Sequence, residues 1–197
     1  MEEKKVRAVF DKNSITVYQA YNSAIANSAV QKQKFMSPLF KMERTTWIKP
    51  SFLWMMHRSW WATKENQENI LAIKITREGW EWALEHSCLS HFSMVIHKTQ
   101  TNWKTKLQDS TVKVQWDPEK DIQLNNLLYR SIQVGLTGIA VEKYINKWII
   151  GIEDITPACK EIYRKVQTGD IKAAKSLLPD EKIYPLPENI RAIVSAS

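Results

Sequence analysis

The chain has 197 residues, with 28 basic and 21 acidic side chains and a formal net charge of +7. Hydrophobic residues make up 44% and charged residues 25%, ordinary globular values that exclude wholesale disorder, and 5 Gly with 7 Pro exclude collagen-like and low-complexity chains. A chain of this length buries roughly 70% of its unfolded surface around one core, so a single domain over 1–197 is expected, its core at 6–180.

The elements follow from hydrophobic period and cap chemistry. Segment 15–21 alternates β-branched and aromatic residues and reads as a strand, and Asn22 then caps a helix over 24–34. A short strand at 45–48 runs into Lys49-Pro50, and the proline predicts a helix from 50 to 62. Residues 69–76 read as a strand, 77–86 as a helix carrying Trp80 and Leu84, and 101–107 as a short polar helix. In the second half, 111–116 and 129–134 alternate as strands, the latter stopped by Gly135. An amphipathic helix over 137–148, a strand over 149–155, a helix over 158–166 opened by Thr156-Pro157 and an Asp170-capped helix to 178 complete the pattern. Residues 183–197, with Pro185 and Pro187, read as an extended tail. Strands and helices mixed without a regular βαβ rhythm predict an α+β fold, with mixed or antiparallel sheets forming a cleft and helices flanking it.

The longest apolar run is Phe52 to Met56, far short of the ~20 residues a membrane-spanning helix needs. The charged start Met1-Glu2-Glu3-Lys4-Lys5 has no signal-peptide core, and Cys88 and Cys159 form no C-x-x-C, so a reduced, cytoplasmic protein is expected.

Chemistry-bearing motifs begin with absences. No glycine-rich phosphate loop, H-E-x-x-H or G-x-S-x-G is present, so phosphate has to be held by Arg, Lys, hydroxyls or helix N-termini. The basic excess is uneven: residues 1–100 carry 14 Lys/Arg against 9 Asp/Glu, and Lys41, Arg44, Lys49, Arg58 and Lys64 face only Glu43. Such a field suits a nucleotide, a dinucleotide or RNA, although it also fits plain solubility charge. Lys49 and Ser51 sit where the helix opens, where free N–H groups, a hydroxyl and an ammonium form a candidate anion site. Trp54 and Arg58 share one helix face, while the neighbouring Trp and Met residues read as core.

Asp117-Pro118-Glu119 leaves a strand end and reads as a turn, though either carboxylate there can orient a ribose hydroxyl. Tyr129, Ser131 and Gln133 share one strand face, and Tyr18, Gln19 and Tyr21 mix aromatic and polar groups on another strand. Polar groups in strands otherwise fit for burial mark candidate sites, unless that face meets solvent. His86, Cys88, His91 and His97 cluster, but their spacing matches no structural zinc pattern and no metal site is expected.

Residues Val17 to Tyr21, Thr46 to Met56, Gln115 to Glu119 and Tyr129 to Gly135 closely resemble the domain-of-unknown-function 4291 family over nearly the whole chain. That family's name carries no activity. The opening strand and later polar strands also look like the ADP-ribosyltransferase superfamily, whose members bind NAD between two small sheets. This second resemblance implies an NAD-dependent transfer of ADP-ribose to an unidentified acceptor. Gln133 or Glu119 would then meet the ribose, Tyr18 and Tyr21 the nicotinamide, with Gln19 and Ser131 beside them and Lys49, Ser51 and Arg58 on the pyrophosphate. Gln19 stands where the superfamily usually has His or Arg. The alternatives are a nucleic-acid-binding module, with Lys49, Arg58 and Arg130 on phosphates and Trp54, Trp60 or Trp61 stacking bases, or an RNA-processing enzyme.

Overall fold

A computed structural model describes residues 3–197, so Met1 and Glu2 of the charged start lie outside the described residues. Strand β1 (Arg7–Ala8) passes through a loop in which Asp11 accepts from the N–H groups of Asn13 and Ser14, and enters β2 (Ser14–Tyr21). Asn22 caps α1 (Ser23–Lys32) by accepting from the Ile25 N–H. After β3 (Thr46–Ile48), the cap of α2 (Phe52–Ser59) is Ser51, and Pro50 stands ahead of it rather than inside the first turn. The helix ends at Ser59, short of the expected 62, because Trp60, Trp61 and Ala62 take left-handed backbone at φ 51°, 55° and 61°.

Strand β4 (Asn69–Thr76) leads directly into α3 (Arg77–Glu85), capped by the Thr76 hydroxyl. Then come β5 (Ser87–Leu89), the one-turn α4 (Met94–His97) and α5 (Gln100–Asp109). Strands β6 (Val112–Lys120) and β7 (Asn126–Leu136) form a long antiparallel ribbon. Helix α6 (Ile139–Lys143) continues through a π turn, Tyr144–Trp148, into β8 (Ile149–Asp154). The chain closes with α7 (Thr156–Gln167), α8 (Ile171–Ser176), β9 (Lys182–Ile183) and α9 (Glu188–Val194).

Four expectations are corrected. Asp117-Pro118-Glu119 is strand, with Pro118 opposite Arg130; β5 flanks β6 only from Val112 to Val114, so the proline lies on a free edge where its missing N–H costs nothing. Gly135 does not stop β7 but pairs with Trp47 and Lys113, and a Cβ there would stand 2.9 Å from the Trp47 ring. Thr156 does not cap α7: its hydroxyl accepts from the Ile70 N–H, and Asp154 accepts from the Thr156 N–H. The extended tail contains a helix, α9, because Ile190 and Val194 recur at helical spacing and bury against the core, with Trp116 Nε1 donating to the Val194 carbonyl at 2.7 Å.

The fold is α+β, as expected. One sheet orders β2-β4-β8, wholly antiparallel; the other orders β3-β7-β6-β5, antiparallel except for the parallel β5/β6 pair; β1 and β9 pair apart. The larger core joins Ile15 and Val17 of β2, Leu71, Ile73 and Ile75 of β4, and Trp80 and Leu84 of α3 with Val114, Ile132, Val134 and Leu136 of the second sheet. Each fully buried aliphatic side chain contributes about 1.5–3 kcal/mol of transfer free energy. At Gly79 the packing admits no side chain, since a Cβ would lie 2.3 Å from the Trp148 ring. A smaller cluster joins Tyr18, Phe52, Met55, Met56 and Trp61 to Cys159 and Ile162. No helix among the described residues is long and apolar enough to cross a membrane.

Candidate functional site

The two larger sheets meet along a short seam. The Tyr18 N–H donates to the Lys49 carbonyl at 2.7 Å, and Gln19 Nε2 donates to the Trp47 carbonyl at 3.0 Å. The other end of the Gln19 amide accepts from the Tyr144 hydroxyl at 2.8 Å, so this side chain ties β2 to both β3 and the π turn. Beside the seam is a cleft of about 820 Å³. Its walls are Gln19, Tyr21 and Asn22 from β2 and its end, Trp47 and Lys49 from β3 and its end, Gln115 and Gln133 from the ribbon, and Trp54 and Arg58 from α2. Lys41 and Arg44 complete the rim.

The charge of this cleft is one-sided. Lys41, Arg44, Lys49 and Arg58 line it, and among the described residues no carboxylate does. Asp117 is nevertheless held beside it: Gln133 Nε2 donates to one of its oxygens at 2.6 Å and Gln115 Nε2 to the other at 2.8 Å. The two glutamines face each other across the β6/β7 register, two residues from the Asp117/Ser131 pair on the same face. Two amide donors on one carboxylate fix its orientation.

Lys49 is 5% exposed, and its Nζ stands 4.7 Å from the centre of the Trp54 ring. Burial, reinforced by the Arg58 charge and opposed by Asp117, pulls its amine down to about 7. Burial, aided by Lys120, likewise holds the His57 imidazole below its usual value, and His57 Nδ1 is buried without a hydrogen-bond partner.

The expected anion site at the start of α2 is filled by the chain itself. The Phe52 N–H donates to Glu181 at 2.6 Å, the Trp54 N–H to Ser51 Oγ at 3.2 Å, and Ser51 Oγ to Glu119 at 2.9 Å. The Glu181 carboxyl thus occupies the position an external anion would take, and Glu119 holds the cap hydroxyl, so the helix N-terminus is satisfied from inside. Burial raises both: Glu181 is pushed up to about 8, with the neighbouring Glu119 charge adding to the effect, and Glu119 is raised as well. Ser51 and Glu119 therefore face each other in the protein interior and do not line the cleft.

Of the residues singled out from sequence, the structure brings Gln19, Tyr21, Lys49, Trp54, Arg58 and Gln133 together in one cleft. Tyr18 supplies its backbone to the seam, but its ring is 2% exposed and packs edge-on against Phe52. Trp61, also 2% exposed, stacks on Tyr163 at 5.4 Å and offers no free face to a base, whereas Trp60 is exposed. Ser131 is buried with its Oγ unpartnered, and Arg130 lies opposite Pro118, outside the cleft. The residues missed as site members are Trp47, Gln115, Lys41 and Arg44. The last two stood in the basic run, and Gln115 and Asp117 share the period-two face that projects toward Gln133.

The histidine and cysteine cluster does not converge. His97 Nε2 is 3.8 Å from Cys88 Sγ, His86 stacks on Trp82 at 4.0 Å, and His91 Nδ1 lies 3.1 Å from Ser90 Oγ. Among the described residues no group of three or more His, Cys, Asp or Glu side chains is placed to hold a metal.

The family model described as a domain of unknown function, DUF4291, matches residues 5–184. No curated protein matches the chain.

Proposed function

The chain belongs to the DUF4291 family, whose name carries no activity, and we propose from its cleft that it binds a dinucleotide of the NAD type and transfers the ADP-ribosyl group. One observation carries this reading: a cleft between two small sheets lined by Lys41, Arg44 and Arg58, aromatic rings and side-chain amides, with no carboxylate among the described residues on its walls. A pyrophosphate needs paired cations, and Lys41, Arg44 and Arg58 supply them without a glycine loop. Trp47, Trp54 and Tyr21 offer ring faces or edges to a base or to nicotinamide.

Asp117, oriented by Gln115 and Gln133, takes the part expected of Gln133 or Glu119. In this reading the Gln133 amide on the cleft wall meets the ribose, and the Asp117 carboxylate held behind it supplies negative charge as positive charge develops at the anomeric carbon. The bond from that carbon to the nicotinamide nitrogen breaks, and nicotinamide leaves as a neutral ring. A fixed carboxylate aimed at developing positive charge lowers that barrier without reorganising. Glu119, locked on Ser51, serves the fold instead.

The test is a calorimetric titration of NAD into the protein at moderate salt, with a short RNA titrated in parallel and released nicotinamide measured in the NAD sample. NAD is expected to bind, with Arg58→Gln weakening it about tenfold through loss of a phosphate-pairing guanidinium. Heat from RNA alone, with none from NAD, overturns the reading in favour of a nucleic-acid-binding surface.

A further inference from the structure

The amine of Lys49 is used neither by the fold nor by the dinucleotide reading. The residue is 5% exposed yet forms part of the cleft wall. A buried lysine usually meets a carboxylate or a carbonyl; among the described residues Lys49 Nζ has neither within bonding distance, and its contact is the Trp54 ring. The charges facing it are Arg58 from α2, which destabilises its protonated form, and Asp117 from β6, which opposes that effect. Lys41 and Arg44 from the loop before β3 share the same cleft.

We propose that Lys49 is a nucleophilic amine that captures a phosphate-bearing aldehyde or reducing sugar in this cleft as an imine. Desolvation beside a second cation is how a lysine becomes a neutral nucleophile at physiological pH. Arg58, Lys41 and Arg44 hold the phosphate, and the amine lies deeper, against Trp54. The Nζ lone pair attacks the carbonyl carbon, the C–O π bond breaks, and the proton lost from nitrogen goes to that oxygen, giving a carbinolamine. The C–O bond then breaks, oxygen leaves as water with a second proton, and the C=N bond forms. The inference stands apart from the dinucleotide reading, because it needs a phosphate and a carbonyl but no nicotinamide.

The experiment treats the full chain with pyridoxal 5′-phosphate, used only as a small phosphorylated aldehyde, and separately with pyridoxal, then reduces with borohydride and maps modified lysines by peptide mass spectrometry. Hydride adds to the imine carbon and water protonates the nitrogen, leaving a stable secondary amine. Lys49 is expected to be modified first at pH 7, where an exposed lysine keeps on the order of one amine in a thousand or fewer neutral. Its rate should rise with pH around a midpoint near 7 and then level off, while exposed lysines go on accelerating. Pyridoxal should react about tenfold more slowly at Lys49, and Arg58→Gln should remove most of that difference while moving the midpoint upward, since a like charge is gone.

Labelling spread over exposed lysines with Lys49 spared overturns the proposal, as does equal reactivity toward the two aldehydes. NAD binding in the calorimeter with no adduct at Lys49 sinks this inference alone. An adduct without NAD binding sinks the dinucleotide reading alone.

Discussion

The two faces of the β6–β7 ribbon are built from the same strands and do opposite things. One face carries Val114, Ile132, Val134 and Leu136 into the main core, where they are almost wholly shielded. The other carries Gln115, Asp117, Glu119, Ser131 and Gln133, also mostly buried, beneath α2 and beside the cleft. A solvent-facing sheet would explain polar residues at alternate positions, but Glu119, Ser131 and Gln133 of this face are buried. Burial of that many polar groups is tolerated where partners exist: Asp117 has two amides, and Glu119 has Ser51 and the Lys120 N–H. The apolar face contributes stability; the polar face gives up stability to hold a geometry.

Breaking the apolar face should have the largest effect on folding. Leu136→Ala is expected to cost about 2–5 kcal/mol, lowering the thermal midpoint by about 2–4 °C for each kcal/mol, with ligand affinity per folded molecule unchanged. Scanning calorimetry followed by a titration of the folded fraction checks both parts; a small loss of stability would mean that the face is not tightly packed.

The converse substitution belongs to the polar face. Asp117→Asn keeps the shape, removes the charge and should reduce nicotinamide release by about two orders of magnitude while changing the thermal midpoint little. Turnover at the normal rate in that variant removes Asp117 from the chemistry and leaves it a structural partner of two glutamines.

A third effect is a pH dependence. Glu181 has its carboxyl raised from 4.5 to about 8 in the folded chain, so the protonated form fits the fold better than the charged form. Its contribution to stability is fully present below about 4.5 and is lost as pH rises through about 8. Denaturant melts at a series of pH values should show stability declining across that window, and Glu181→Gln should flatten the decline. An unchanged pH profile in the variant would mean that Glu181 meets more water than its place behind α2 implies.

The smallest effect is expected from Ser51→Ala, about 1 kcal/mol in a urea melt, because the substitution removes a helix cap and one acceptance from the Trp54 N–H. Loss of the donor to Glu119 accompanies it, so the same variant should raise the Glu119 carboxyl further.

How much of this was legible varies with the reach of the interaction. Strand β4 runs over the expected 69–76, and β2, α1 and α3 lie within two residues of expectation, because alternation and a capping Asn or Thr act within a few residues. The errors arose where a partner elsewhere overrode a local habit. Asp-Pro-Glu is turn-like in isolation, and β7 holds it extended; Gly135 punctuates a strand in isolation, and the Trp47 ring needs it there. The C-terminal prolines suggested an extended tail, while Ile190 and Val194 found the core and wound the segment into α9. Cys88 and His97, nine positions apart, do approach one another, but among the described residues no third donor joins them.

By itself the sequence determined the α+β class, most elements of the two larger sheets and the existence of a basic, tryptophan-rich segment, since each depends on composition or on spacing along one element. Only the tertiary structure decided that Lys41, Arg44, Lys49 and Arg58 share a cleft with Gln115 and Gln133, and that Ser51 turns away to Glu119, 68 positions along the chain. The reason is physical: burial and charge pairing are set by neighbours in space. Lys49 has its Nζ against Trp54 and feels the charges of Arg58 and Asp117, neighbours that its place in the sequence does not assign.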